Sequence, residues 1–215
     1  MEKSEKTGIF LNFKNRLKEK FPSVRRIARA CLDVPQCLFN DSSKVARKKQ
    51  EIILGYAKKF GISIFVETGT CQGDMVEAVR NDFARVTSIE LDDNLYLKAK
   101  QRFENCKNVE ILHGDSGVVL RQVVPLINAP ALFWLDGHYS GEGTAKGDTE
   151  TPIMAELETI CSSGLRHVVL IDDARLFTGN GDYPSISELE KYVRDRKKSI
   201  IFEINDGIIR LTPGL

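Results

Sequence analysis

Short apolar runs alternate with amphipathic stretches from residue 62 to residue 195, and this alternation constrains the fold more than any other feature. The apolar runs predict five strands, over residues 62–66, 86–89, 109–112, 131–135 and 167–171. The stretches between and after them predict helices, over residues 75–83, 94–103, 117–127, 152–161 and 186–195. Because such alternation covers both faces of a parallel sheet with helices, the sequence predicts a doubly wound α/β fold.

The end of the chain departs from this alternation. Two further apolar runs, over residues 199–204 and 208–211, flank Asn205-Asp206-Gly207. Asp-Gly between two apolar runs is a strong signal for a tight hairpin. The predicted sheet is therefore mostly parallel and seven-stranded, and its last two strands form an antiparallel hairpin. Dinucleotide-binding Rossmann domains usually end in another parallel strand instead.

The first sixty residues lack this pattern, so we predict a helical extension over residues 1–60 and a second domain over residues 61–215. Five apolar residues recur at helical spacing near the N-terminus: Ile9, Phe10, Phe13, Leu17 and Phe21. A further helix is predicted from Asp41-Ser42-Ser43, which are good N-cap residues, to about Phe60, with Gly61 just past its end. We expect these helices to pack on the core or on a second subunit, and the second arrangement would give a homo-oligomer. A helix lying on a membrane surface is the alternative.

Charge is unevenly placed along the chain, although the formal net charge is only +1. Residues 1–60 carry about +9 and the remainder about −8. A basic arm can bind nucleic acid or anionic lipid. A solvated helical face, or a basic lid over an acidic domain, explains the same charge, and we do not expect a nucleic-acid partner.

Composition excludes several classes of protein. No apolar run approaches the roughly 20 residues that span a bilayer, and the N-terminus does not resemble a signal peptide. The five cysteines are scattered and form no Cys-x-x-Cys pair, which argues against a zinc site or a disulfide framework. Reduced thiols in a cytoplasmic protein are the simpler expectation.

A glycine-containing turn, Glu67-Thr68-Gly69-Thr70-Cys71-Gln72-Gly73, follows the first predicted strand. Ligands of open α/β sheets bind beyond the carboxyl ends of the strands, at the point where strand order reverses. Gly69 would let the chain turn sharply and approach a ligand, and Gly73 would permit close helix packing. Alone, such a turn is weak evidence for a site.

Acidic residues at the ends of the following strands strengthen this interpretation. Glu90 ends the second strand, about twenty residues after Gly69, where a carboxylate accepts hydrogen bonds from ribose hydroxyls. Asp115 follows the third strand, beside Ser116, where it would contact an adenine amine, and Asp136 ends the fourth strand. With Glu67, four consecutive strand ends thus carry an acidic residue, a pattern that core packing alone does not explain.

The stretch from residue 62 to residue 211 resembles the class I S-adenosylmethionine-dependent methyltransferases, which also end in a hairpin strand. Within them, Val66-Glu67-Thr68-Gly69 is similar to the Glu-Thr-Gly opening of the metal-dependent, macrocin-type sugar O-methyltransferases. These enzymes also lack the middle glycine that Cys71 replaces here. The resemblance implies S-adenosylmethionine as cofactor, with Glu67 and Gly69 near its methionine part, Glu90 on the ribose and Asp115 with Ser116 at the adenine. Thr68, Gly73 and Asp136 complete the predicted cofactor-binding set.

A metal site is also predicted. The fifth strand ends in Asp172-Asp173, and oxygen ligands suit Mg²⁺. By resemblance to the sugar O-methyltransferases, Asp136, Asp172 and Asp173 would hold such an ion beside the substrate hydroxyl. His138, two residues past Asp136, would be the general base, or else a further metal ligand. The sugar enzymes carry an aspartate at that position.

These features predict methyl transfer to a hydroxyl of a small molecule or sugar, with Asp136 and His138 as catalytic residues. Two other functions stay open. An NAD(P)-dependent oxidoreductase would share Glu90, but the turn at Gly69 lacks the full Gly-x-Gly-x-x-Gly pattern. A non-catalytic cofactor-binding scaffold with a basic partner-binding arm would not need the acidic residues at strands four and five.

Overall fold

The computed structural model describes residues 36–137 and 151–214. The predicted helix near the N-terminus and the predicted base His138 lie outside these residues. The chain divides into two units between Arg47 and Lys48, and the second unit, Lys48–Leu215, contains the whole sheet. The predicted domain boundary at residue 60 stays a prediction.

The first described helix crosses this division. Helix α1 spans Gln36–Phe60, so it begins five residues before the predicted cap at Asp41, and that start was wrong. Serine and aspartate favour caps but are tolerated inside helices at exposed positions such as Ser43. The predicted end is confirmed, because Gly61 follows with φ +63° and the Ile62 amide donates to the Ala57 carbonyl at 2.9 Å.

A seven-stranded sheet forms the centre of the second unit, in the order β3-β2-β1-β4-β5-β7-β6. Its strands are β1 (Ile64–Thr68), β2 (Arg85–Glu90), β3 (Val109–His113), β4 (Leu132–Leu135), β5 (Val168–Ile171), β6 (Ile200–Asn205) and β7 (Ile208–Pro213). The helices between them are α2 (Asp74–Val79), α3 (Asp93–Arg102), α4 (Ser116–Val123), α5 (Ile153–Ser162) and α6 (Ile186–Arg196). Strands β1 to β5 are parallel, and β7 is antiparallel to both β5 and β6. The predicted fold is confirmed.

The closing hairpin has the turn that its sequence predicts. Asp206 and Gly207 have φ values of +54° and +74°, and Asn205 pairs with Ile208 across them. A two-residue type I′ turn requires positive φ at both central positions, and its twist matches that of the flanking strands. The turn thus sets the register that returns β7 beside β5.

Two apolar layers bury the sheet. Phe133, Val169 and Leu135 point to the face that α4, α5 and α6 cover, where Leu120, Leu157 and Leu189 are buried. Phe65, Trp134 and Leu170 point to the other face, against Ile53 of α1 and the helices α2 and α3. Burial on both faces explains the continuous apolar runs of the parallel strands. No helix within residues 36–137 and 151–214 is long and apolar enough to cross a bilayer.

Candidate functional site

The turn after β1 meets the end of β4 at the point where strand order reverses. Gly69 has φ +84°, and a Cβ there would lie 2.5 Å from the backbone oxygen of Asp136. Such a contact is too short for any side chain, so only glycine fits where the two loops pass. The backbone that Gly69 approaches so closely is the loop after β4, and this contact places Gly69 beside Asp136.

The second glycine of the turn packs against helix α3, as predicted. Gly73 has φ +79°, and a Cβ there would lie 2.6 Å from the Phe103 ring. Between the glycines, Cys71 also has a positive φ of +50°, which is the conformation that favours a glycine. Partial burial raises the pKa of the Cys71 thiol, and Glu90 adds to this, so it is not an activated nucleophile.

Glu67 is buried beneath this turn, at the carboxyl end of β1. The Ser88 hydroxyl, opposite it on β2, donates to Glu67 Oε2 at 2.5 Å, and the Thr70 hydroxyl lies 2.6 Å from Ser88 Oγ. Burial raises the pKa of Glu67 to about 8; the Ser88 hydrogen bond opposes this and Asp136 adds to it. The carboxyl therefore holds its proton at neutral pH and would lose it beside a cation. Ser88 carried no sequence signal because it lies inside a strand.

Glu90 and Asp115 stand at the next two strand ends, as predicted. Glu90 Oε2 accepts from the Cys71 amide at 2.7 Å and Oε1 from the Asp92 amide at 2.9 Å. This ties the glycine turn to the end of β2. Asp115 caps α4 and accepts from the Gly117 amide at 2.8 Å. Carboxylate oxygens keep further lone pairs, so both side chains can still accept a hydrogen bond from a ligand.

Ser116 points inward and contacts Glu156, a residue that the sequence did not identify. Its hydroxyl donates to Oε1 of Glu156 at 2.6 Å, and Glu156 is buried on helix α5. Burial raises the pKa of Glu156 to about 7, although the hydrogen bond from the Ser116 hydroxyl lowers it. The available signal was its spacing, because Glu156 falls on the apolar face that Ile153, Leu157 and Ile160 define.

Glu156 also borders a small cavity at the carboxyl ends of β4 and β5. The cavity lining includes Gly137, Thr151, Asp172, Phe177 and Tyr183. The Phe177 and Tyr183 rings meet edge to face, with centroids 5.6 Å apart. The space inside it holds about one water molecule, so the cavity does not by itself identify an acceptor.

The three aspartates predicted as metal ligands are only partly brought together. Asp136 and Asp172 are hydrogen-bonded neighbours, and burial, then Asp172, raises the pKa of Asp136, while Lys49 lowers it. Asp173 has φ +50°, and its Oδ1 lies 3.1 Å from Nε of Arg175. The third carboxylate is thus engaged by a cation of its own.

Lys49 of helix α1 is the second residue that the sequence analysis missed. Its ammonium forms an ion pair with Asp172 Oδ2, and it lies 5.8 Å from the centre of the Trp134 ring. Partial burial lowers the pKa of Lys49, but Asp172, Asp136 and Asp173 together raise it above the ordinary value. A lysine next to Lys48 on a long basic helix gave no sign of this contact.

The structure does not support the predicted Mg²⁺ site. Within residues 36–137 and 151–214, no three His, Cys, Asp or Glu side chains are arranged to hold a metal ion. The reason is local, because Asp172 is paired with Lys49 and Asp173 with Arg175. The metal-ligand role given to Asp136, Asp172 and Asp173 therefore finds no support in their geometry.

Solved structures of methyltransferases share this fold. The methyltransferase PaMTH1 of Podospora anserina is 14% identical, with a TM-score of 0.52, over 91% of this chain and 97% of that one. The O-methyltransferase TomG of Streptomyces achromogenes is 17% identical, with a TM-score of 0.54, over 78% and 80%. The 23S rRNA methyltransferase ErmE is 15% identical, with a TM-score of 0.51, over 78% and 68%. No protein-family model and no curated protein matches the sequence. The chain thus has the fold of class I S-adenosylmethionine-dependent methyltransferases.

Proposed function

We propose that this chain transfers a methyl group from S-adenosylmethionine to a hydroxyl of a small molecule or sugar. The observation that carries the proposal is the row of carboxyl groups at the shared edge of β1, β2 and β3. The order along this edge is Glu67, Glu90 and Asp115. It matches the order of the amino-acid part, the ribose and the adenine in S-adenosylmethionine. The methyltransferase fold places its cofactor at that edge.

The residues at this edge fit the proposed cofactor. Glu67 is a buried carboxyl that would gain a counter-ion from the ammonium or sulfonium charge of S-adenosylmethionine. Glu90, held by the amides of Cys71 and Asp92, would accept hydrogen bonds from the ribose hydroxyls. Asp115 would accept one from the adenine amine, and the turn from Thr68 to Gly73 would complete the contacts. The Ser116 hydroxyl is turned to Glu156, so Ser116 would contact the adenine through its backbone.

When bound, S-adenosylmethionine supplies an electrophilic methyl group on a positively charged sulfur. The acceptor oxygen forms a bond to the methyl carbon while the carbon–sulfur bond breaks and its electron pair returns to sulfur, leaving S-adenosylhomocysteine. The hydroxyl proton must go to a base, and we propose His138 for this role because it follows Asp136 by two residues. Asp136, at the end of β4, would position the acceptor.

A hydroxyl acceptor is favoured over nitrogen or RNA by the sequence resemblance. The solved structures of the same fold include O-methyltransferases, but also the N-methyltransferase NodS and an rRNA methyltransferase. The fold alone therefore does not select the acceptor. Metal assistance was part of the sequence prediction, and it is not part of this proposal because the aspartates do not form a metal site.

Titration calorimetry of the full chain with S-adenosylhomocysteine and with NADH tests the proposal. We expect binding of the first ligand and none of the second, and Glu90→Ala should weaken binding at least about tenfold through loss of the ribose contact. Glu110→Ala, an exposed carboxylate on neighbouring β3, is the matched control and should bind normally. Binding of NADH without S-adenosylhomocysteine would overturn the proposal in favour of an oxidoreductase.

Turnover needs a separate measurement. Incubation with methyl-labelled S-adenosylmethionine and a panel of hydroxyl compounds should give labelled product, which His138→Ala should abolish without loss of cofactor affinity. Cofactor binding without transfer to any compound of the panel would favour the scaffold alternative. Unchanged turnover in His138→Ala would remove the base assignment.

A further inference from the structure

Lys49, Asp136 and Asp172 form a cluster at the ends of β4 and β5. In this cluster a lysine ammonium lies where a cation site would hold a metal ion. Asp172 and Asp136 lie at the ends of adjacent parallel strands, and Asp172 is almost fully buried. Asp136 and Asp172 are hydrogen-bonded to each other, which relieves part of their repulsion, but buried Asp172 still requires a positive charge nearby. In this chain the charge comes from the Lys49 ammonium, which contacts Asp172 directly.

Packing holds Lys49 in this position. Ile53, one helical turn further along α1, is fully buried against the sheet, so the same face of the helix carries Lys49 toward the strand ends. The ammonium also lies near the face of Trp134, the residue before Leu135 on β4. A cation near an indole ring gains further attraction. The side chain is 28% exposed, so it lines the site while remaining accessible from it.

Lys48 differs from Lys49 in the carboxylate that it contacts. It is the neighbouring lysine on the same helix, but its ammonium pairs with Asp206 in the hairpin turn at 2.5 Å and its side chain is 59% exposed. Two adjacent lysines thus reach different carboxylates, and only Lys49 reaches those at the candidate site.

We propose that the Lys49 ammonium occupies the cation position among the carboxylates at the ends of β4 and β5, so that the site works without a divalent metal ion. The contacts alone support Lys49 in the cation position, whereas its part in catalysis rests on the proposed methyl transfer. Lys49 neutralises Asp172 and holds its carboxylate in place beside Asp136. It is a positioning residue, and it adds a fixed positive charge at the ends of β4 and β5, where an acceptor hydroxyl would gain negative charge as it gives up its proton.

The first test asks whether the cation position is filled. Mn²⁺ binding to the full chain is followed by electron paramagnetic resonance in the wild type and in Lys49→Met, Lys48→Met and Lys49→Met/Asp172→Asn. We expect Lys49→Met to bind Mn²⁺ at least about tenfold more tightly than the wild type, because it frees the carboxylates and removes a repelling charge. Lys48→Met should resemble the wild type, and the double variant should lose the gained site.

Two results would overturn the proposal. One is Mn²⁺ binding by the wild type that Asp172→Asn abolishes, since the position would then be open to a metal. The other is a folded Lys49→Met that gains no Mn²⁺ binding. Should Lys49→Met fail to fold, Lys49→Arg keeps the charge, and it should fold and exclude Mn²⁺; binding of Mn²⁺ by folded Lys49→Arg would also contradict the proposal.

The second test concerns catalysis. Methyl transfer by the wild type should be unchanged by EDTA and by added Mg²⁺, whereas Lys49→Met should lose turnover and regain part of it with Mg²⁺. Loss of wild-type activity in EDTA would overturn metal independence. S-adenosylhomocysteine affinity, measured on the same samples, separates the two proposals: its absence removes the proposed function, while the Mn²⁺ results still decide the cation position.

Discussion

Single buried carboxyl groups set the chemistry of the candidate site. Glu67 on β1 and Glu156 on α5 are both buried, and burial raises the pKa of Glu67 to about 8 and that of Glu156 to about 7. Each is bonded to a serine hydroxyl, Ser88 or Ser116, which satisfies an oxygen without supplying a counter-charge. Such groups are costly to ionise when buried alone, so they respond strongly to a bound cation or to a change in pH.

Binding of S-adenosylhomocysteine should release a proton from Glu67. At pH 7 the empty site holds Glu67 protonated, and a ligand ammonium beside it favours the carboxylate. Calorimetry in buffers of different ionisation enthalpy should give a slope that corresponds to release of up to about one proton. Glu67→Gln should abolish the slope, and Glu110→Gln should leave it intact. A flat dependence in the wild type would place the ligand charge elsewhere.

Glu156 should make stability fall as pH rises. Its pKa is raised above the unfolded value of 4.5 to about 7. The folded chain therefore binds more protons than the unfolded chain between these values, and the free energy of unfolding declines across that window. Relative to Glu156→Gln, the wild type should lose about 3 kcal/mol between pH 4.5 and pH 8.

Urea unfolding of both proteins at several pH values measures this difference. Glu158→Gln on the exposed side of α5 is the matched control, and its pH profile should follow the wild type. An identical profile for Glu156→Gln would mean that Glu156 ionises freely in the folded protein.

At the scale of helices and strands, most element positions were predicted from apolar runs and turn residues. The five parallel strands had to be buried on both faces, so their positions were visible as apolar runs, and Asp206-Gly207 marked the hairpin. The strand-end carboxylates Glu67, Glu90 and Asp115 followed from the same pattern, because parallel strands end at one edge. The start of α1 was wrong, because the helix runs through the predicted cap, where Ser43 is exposed and a serine is tolerated inside a helix.

Two glycines in open space should respond in opposite ways to the same substitution. A Cβ at Gly207 or at Gly55 meets no atom within 4 Å, so neither change creates a clash. Gly207 has φ +74°, and alanine there should cost about 1–2 kcal/mol of backbone strain. Gly55 lies inside α1, where alanine should stabilise the helix by about 0.5–1 kcal/mol.

Thermal and urea unfolding of Gly207→Ala and Gly55→Ala provide the comparison, and each protein serves as the control of the other. Equal effects of the two changes would contradict the type I′ turn in the hairpin or the helical conformation at Gly55.

For the molecule as a whole, the site depends on contacts between segments that are distant in sequence. Lys49 of α1 reaches Asp172 after β5, and Ser116, the first residue of α4, reaches Glu156 on α5. No local pattern encodes such pairs, because they arise from how helices are laid across the sheet. This explains why the sequence predicted carboxylates at the strand ends, while the cation that neutralises Asp172 became visible only in the structure.

The crossing of the β1 and β4 loops is the contact on which the whole site should depend most. Gly69→Ala would place a Cβ 2.5 Å from the Asp136 backbone oxygen at φ +84°, so the two loops must move apart. Because the candidate cofactor edge lies on one side of this crossing and Asp136 on the other, we expect loss of S-adenosylhomocysteine binding together with destabilisation.

Gly61→Ala has a similar φ of +63° but open space around it, so it isolates the backbone strain. The cost of Gly69→Ala should exceed that of Gly61→Ala by about 1–3 kcal/mol, the usual range for an overpacked contact. Urea unfolding gives the first comparison and calorimetry the second. Equal stability of the two variants with unchanged ligand affinity would show that the loops do not need this close approach.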